Sequence, residues 1–315
     1  MHYLSLLGGV FLGWSLGAND AANIFGTAVT SRMVKFYQAA ILASIFVVLG
    51  AVLEGAGGMA TVSSLGTQSL GSATLISVAT AIAVTVLTFL KLPISTSQAV
   101  VGAIIGRGVF ADDVAFDGLG KVVICWVGTP VGAMVVSAIL YLSLRLALRA
   151  FKVSFVVLDG YLRFGLILAG CYGAYALGAN NTANVTGVFM GLGLFGLDGG
   201  AEAMMLSVVG SVSIALGICT FSYKVMLTVG KSLYDLDAFT AFVAVAAHAA
   251  TVHFYAWVGV PVSTSQAIIG AVLGIIVVKG IHLLHWAPLL RILLGWLATP
   301  LIAGVFAYVG ALLFL

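Results

Sequence analysis

The sequence predicts an all-α polytopic membrane protein built from two inverted-topology repeats of about five hydrophobic segments each, with broken helices and re-entrant hairpins. Three observations carry that expectation. The 315 residues are 62% hydrophobic and only 7% charged, too little polar surface to cover a soluble globule. Two unusual polar strings each occur twice, in the same order: Gly17-Ala18-Asn19-Asp20-Ala21-Ala22-Asn23 returns as Gly178-Ala179-Asn180-Asn181-Thr182-Ala183-Asn184, and Pro93-Ile94-Ser95-Thr96-Ser97-Gln98-Ala99 returns as Pro261-Val262-Ser263-Thr264-Ser265-Gln266-Ala267. Paired polar breaks in paired apolar segments are the mark of transporters whose site lies at the bilayer midplane. Finally, once the segments are threaded through a bilayer, the basic residues collect on one side.

The first segment, roughly 3–29, has no Lys or Arg before Arg32 and runs apolar through an Asn-Asp centre, so it reads as a retained span rather than a signal peptide. A second covers about 38–60. The third and fourth, about 72–90 and 93–110, are separated by little more than Pro93 and form either two spans or one re-entrant hairpin. The fifth, about 121–150, closes an N-terminal repeat over 1–152. The C-terminal repeat, 153–315, follows with segments near 161–190, 200–222, 236–257, 261–279 and 287–315. A third echo supports the pairing: Trp126-Val127-Gly128-Thr129-Pro130 matches Trp296-Leu297-Ala298-Thr299-Pro300. Each repeat contributes an odd number of crossings, so the second enters the membrane from the opposite side.

Ten of the thirteen Lys and Arg, among them Arg32, Lys35, Lys152, Arg163, Lys231 and Arg291, fall on one side of this threading. That side is cytoplasmic by the positive-inside rule, which puts both termini outside a cell inner (plasma) membrane. Arg107 and Lys121 face the other side near Asp112, Asp113 and Asp117, and Lys91 lies at the hairpin junction. The basic residues never form a run, so no nucleic-acid surface is expected. Cys125, Cys171 and Cys219 have neither a CxxC nor a Cys/His spacing, which argues for packing rather than a metal site or disulfide.

Asp20 lies about midway along the first segment, between Asn19 and Asn23. A carboxylate at that depth needs a cation or a wet cavity. With Gly17 permitting unwinding, freed carbonyls and the Asn19, Asp20 and Asn23 oxygens would form the hard-oxygen shell that Na⁺ prefers. The mirrored Asn180, Asn181 and Asn184 offer the same oxygens without the carboxylate. The second string carries a different message: proline suits a helix start, and the following hydroxyls sit beside uncapped backbone N–H groups at the positive end of a helix dipole. Ser95, Thr96 and Ser97, brought against Ser263, Thr264 and Ser265, would surround a tetrahedral oxyanion with donors. Gln98 and Gln266 fit either the reach-back of a capping box or a further ligand. The alternative is that these serines satisfy only local helix ends, which gives no reason for the motif to recur at the matched position.

Other features read more plainly. Gly102/Gly106 and Gly270/Gly274 have a small-xxx-small spacing suited to close helix packing. Glu54, near the outer end of its segment, suits snorkelling or loop capping better than a proton relay. His248 reads as a hydrogen-bonded core histidine, and His282 and His285 lack a third ligand for a metal. The chain lacks the nucleophile, base or metal constellation of an enzyme, and its polar residues form patches rather than the continuous stripe of a channel.

On both pairs of motifs the chain resembles the inorganic phosphate transporter family, which has sodium-coupled and proton-coupled members. The resemblance covers essentially the whole chain. It implies a commonly homodimeric inverted-repeat carrier in the lipid bilayer, with no cofactor beyond the co-transported ion. It further implies that Asp20, Asn23, Asn181 and Asn184 help hold Na⁺, and that Ser95, Thr96, Ser263 and Thr264 contact phosphate. The family's second motif commonly has Asp where this chain has Asn181, which removes about one unit of charge from the cation site. The expectation is import of inorganic phosphate coupled to Na⁺ by alternating access between the repeats, the alternatives being a sulfate permease or a proton-coupled phosphate symporter.

Overall fold

The computed structural model describes residues 2–90, 94–151, 155–229 and 236–315. Eleven α-helices occur among them: α1 Leu6–Thr30, α2 Phe36–Glu54, α3 Ala56–Ser63, α4 Leu70–Phe89, α5 Thr96–Ala111, α6 Phe116–Phe151, α7 Phe155–Thr186, α8 Gly199–Val229, α9 Ala238–Val258, α10 Thr264–Lys279 and α11 Trp286–Phe314. Seven of them, α2, α4, α6, α7, α8, α9 and α11, are long and apolar enough to cross a membrane. The fold is thus the polytopic helical class expected. Pro93, Lys91, Lys152, Lys231 and the boundary between the two repeats lie outside the described residues.

The packing is unchanged by exchanging the halves. α1 packs along α8, and its mirror α7 along α2; α5 packs along α11, and α10 along α6; α4 lies on α1, and α9 on α7. Four of these six pairs, α1–α8, α2–α7, α5–α11 and α6–α10, join opposite halves, and α1–α4 and α7–α9 lie within one half, so the two repeats are interwound rather than side by side. Glycine makes the tightest crossings. A methyl group at Gly17 would collide with the Ile214 carbonyl and one at Gly217 with that of Trp14, while Gly178 and Gly50 stand in the same relation to Val47 and Tyr175. Gly102 and Gly270 admit the backbones of Pro300 and Pro130 respectively, so the small-xxx-small motifs and the Thr-Pro echo are two sides of one contact.

α1 and α7 run as unbroken helices through the asparagine motifs. The unwinding expected at Gly17 does not occur, because that glycine is used for the crossing with α8 and the apolar environment favours intact backbone hydrogen bonding. The breaks fall instead before α5 and α10. Each of these has 16 residues, roughly 24 Å at 1.5 Å per residue against a hydrocarbon core of about 30 Å. Each packs back on the helix before it, which is the re-entrant reading of the hairpin. α4, α7 and α9 are the most enclosed of the spans, and α6 and α11 the most peripheral.

Candidate functional site

α5 and α10 start beside each other, and the two serine motifs hold them there. Ser95 caps α5, its Oγ accepting from the Gln98 amide at 3.3 Å, and Ser263 caps α10, accepting from the Gln266 amide at 3.2 Å. Both caps sit in extended backbone that turns into the helix. The hydroxyl two residues on reaches across. Ser97 Oγ donates to the Val262 carbonyl and Ser265 Oγ to the Ile94 carbonyl, both at 2.7 Å. Each motif therefore clasps the residue that precedes the other, and purely local capping does not account for such an exchange. The amides of Thr96, Ser97, Thr264 and Ser265 open their helices and have no intrahelical acceptor, so two positive helix ends face one region.

The asparagine motifs surround this clasp. Asn23 Nδ2 donates to Thr264 Oγ1 at 3.4 Å, and the same hydroxyl lies near the Asp20 carboxylate. On the mirrored side Asn184 Nδ2 donates to Ser97 Oγ at 3.1 Å and to Asn181 Oδ1 at 2.9 Å. Asp20 and Asn23 are thus gathered with Thr264, and Asn181 and Asn184 with Ser97. The other two asparagines of the predicted cation set are occupied elsewhere. Asn180 spans the approach to α10, donating to the Val260 carbonyl at 2.9 Å and accepting from the Val262 amide at 2.8 Å. Asn19 is half-buried and donates to Thr88 of α4 at 3.2 Å.

Asp20 is 3% exposed, and none of the ion pairs among the described residues includes it. A buried carboxylate without a counter-charge costs several kcal/mol, so Asp20 calls for either a bound cation or a proton. Six of the buried side-chain atoms that lack a hydrogen-bond partner belong to the motifs: Thr96 Oγ1, Gln98 Oε1, Asn181 Nδ2, Thr182 Oγ1, Asn184 Oδ1 and Gln266 Oε1. Buried polar atoms are nearly always paired, and this concentration fits groups reserved for a ligand. Neither glutamine side chain reaches back to close a capping box. The set combines hydroxyl and amide donors with neutral oxygen acceptors and one carboxylate. It can hold an oxyanion at the helix starts and small cations beside Asp20.

The sequence reading missed one polar cluster. Glu54 neither snorkels nor caps a loop: its Oε1 accepts from Tyr175 at 2.6 Å and its Oε2 lies 2.8 Å from His253 Nε2, while His253 Nδ1 lies 2.8 Å from the Tyr172 hydroxyl. This network ties α2 to α7 and α9. His253 lies 199 residues from Glu54, so no local pattern announced the pair. His248 is fully buried with both ring nitrogens unpartnered, unlike the hydrogen-bonded histidine expected.

A family model described as the phosphate transporter family matches residues 16–307. An inferred phosphate permease of Methanocaldococcus jannaschii is 29% identical over 97% of this chain and 95% of its own length. One of Haemophilus influenzae is 26% identical over 96% and 94%. Among solved structures, one titled the sodium-dependent phosphate transporter superposes with a TM-score of 0.86 at 21% identity, covering 99% of this chain and 98% of that one. That last likeness concerns the fold.

Proposed function

Because the chain belongs to the phosphate transporter family, we propose that it imports inorganic phosphate in symport with Na⁺, exposing a midplane site between the repeats to each side of the membrane in turn. The observation that carries this reading is the reciprocal Ser97/Ser265 clasp, which joins two hydroxyl-rich helix starts beside the uncompensated Asp20.

In this reading Ser95, Thr96, Ser97, Gln98, Ser263, Thr264, Ser265 and Gln266 form the anion chamber. Phosphate sits between the N-termini of α5 and α10, accepting hydrogen bonds from hydroxyls and free amides. Asp20 and Asn23 hold one Na⁺, and Asn181 with Asn184 offer a weaker second place. Asn19 and Asn180 position the approaches to these groups rather than ligating. Thr264 faces both the Asp20–Asn23 pair and the anion chamber, so occupation of one is felt by the other. Moving a divalent anion inward opposes the membrane potential by about 2.3 kcal/mol per charge per 100 mV, and each accompanying Na⁺ offsets one charge. We further place the protein in the plasma membrane with both termini outside, as a homodimer.

Uptake of labelled phosphate into proteoliposomes tests this. It is expected to require an inward Na⁺ gradient, to resist competition by sulfate, and to disappear in Asp20→Asn. Uptake that ignores both the gradient and the substitution overturns the proposal. One observation favours a second reading: with Asn181 in place of a second carboxylate, the site balances fewer cations, as a proton-coupled carrier would require. Uptake driven by a pH gradient without Na⁺ would select it.

A further inference from the structure

Away from the transport site, a cavity of about 360 Å³ opens where the start of α2 meets the first turns of α7, lined by Val34, Tyr37, Ile41, Leu42, Arg163 and Ile167. Its volume falls within the range of roughly 300–1,000 Å³ usual for small-molecule sites. The walls are apolar apart from Gln38 and one end, where Arg163 is exposed and takes part in no ion pair among the described residues, Asp159 one turn earlier included. Lys35 lies beside the same mouth, its Nζ 5.9 Å from the centre of the Tyr37 ring.

The depth of this cavity follows from helix length. α7 has 32 residues, roughly 48 Å at 1.5 Å per residue against a hydrocarbon core of about 30 Å. Arg163, eight residues after its first, lies about 12 Å along it, within the length by which the helix outruns the core, and Ile167 stands one turn deeper. Tyr37 is 56% exposed and Ile41 55%, an aromatic anchor above an aliphatic track, as membrane interfaces favour. Arg32, Lys35 and Arg163 all lie on the side that the charge distribution marks as cytoplasmic, where anionic lipid concentrates.

We propose that this groove is a binding site for an anionic phospholipid, whose phosphate engages Arg163 and Lys35 and whose acyl chain lies against Ile41, Leu42 and Ile167. Charge complementarity selects the occupant: a zwitterionic lipid would bring its own cation to a mouth already carrying two. The site joins α2 of the first half to α7 of the second, so the lipid bridges the interwound repeats without touching the transported ions.

Native mass spectrometry of the full chain, released from micelles doped with phosphatidylglycerol or phosphatidylcholine, tests this directly. Wild type is expected to retain phosphatidylglycerol preferentially. The contribution of about one arginine near a charged surface predicts roughly fivefold weaker retention in Arg163→Ala, with Arg163→Lys close to wild type. Ile41→Trp, which fills the groove and leaves the charges, is expected to lower retention of the lipid as well. Should Arg163→Ala express poorly, the Lys and Trp variants still decide the matter. Equal retention of the two lipids, displacement by free inorganic phosphate, or loss of a dimer rather than of lipid on filling the groove would each overturn the proposal.

Discussion

Removing the Ser97 hydroxyl probes the joint on which the site depends. In Ser97→Ala the Val262 carbonyl loses its 2.7 Å donor, and Asn184 Nδ2 loses one acceptor while keeping Asn181 Oδ1 at 2.9 Å. Ser97 is 1% exposed, so water does not readily replace the lost group. One orphaned buried carbonyl costs about 1–3 kcal/mol, which for a chain of this size shifts the unfolding midpoint down by roughly 2–6 °C. Ser265→Ala removes the mirrored bond to the Ile94 carbonyl and is expected to cost a similar amount. The two bonds hold one joint, so the double variant should lose less than the sum of the singles. Thermal unfolding in detergent, run with and without phosphate and Na⁺, measures all three. Phosphate should stabilise wild type more than either variant. Unchanged midpoints in both single variants, or strict additivity in the double, would refute the idea that the two helix starts hold each other.

Three other expectations follow from the same geometry. Asn181→Asp adds a carboxylate at the mirrored cation place, and the Na⁺ dependence of uptake should become steeper; initial rates against Na⁺ concentration check this. Gly17→Val drives a branched side chain into the Ile214 carbonyl, so the yield of monodisperse protein on gel filtration should fall sharply, whereas Gly120→Val, with open space around it, should leave it unchanged. Outside the membrane, the Thr67 side chain and amide, and then Arg107, hold the Asp113 carboxyl below its ordinary value near 3.8. A carboxyl with a lowered folded pKa stabilises above its unfolded pKa and loses that contribution as pH falls through the folded value. The difference in unfolding midpoint between wild type and Asp113→Asn should therefore stay constant from neutral pH to about pH 5 and vanish in stronger acid.

Much of the architecture was legible because repetition survives in a sequence even where contacts do not. The doubled motifs located both helix starts, and their Ser-Thr-Ser runs proved to be the caps and clasps themselves. The roles of individual asparagines were less legible. Asn19 and Asn23 lie four residues apart on α1 yet answer to different neighbours, Thr88 and Thr264, and only the packing of α4 and α10 separates them. Gly17 signalled unwinding because glycine is a poor helix former, but the same missing side chain, there and at Gly178, is what permits close crossing, and here the crossing prevails. The Glu54–His253 network joins residues from both halves, each unremarkable in its own segment, and is visible only once α2, α7 and α9 are packed together. The Thr-Pro echo had supported the pairing of the halves, and its physical purpose emerged only when Pro130 and Pro300 were found opposite Gly270 and Gly102.

The most direct test is a density map of the protein in a lipid nanodisc with phosphate and Na⁺ present. Tetrahedral density between Thr96 and Thr264, with a small ion within coordination distance of Asp20 and Asn23, is the predicted result. Phosphate bound elsewhere in the molecule, with the starts of α5 and α10 separated and Asp20 turned to lipid, would contradict the account.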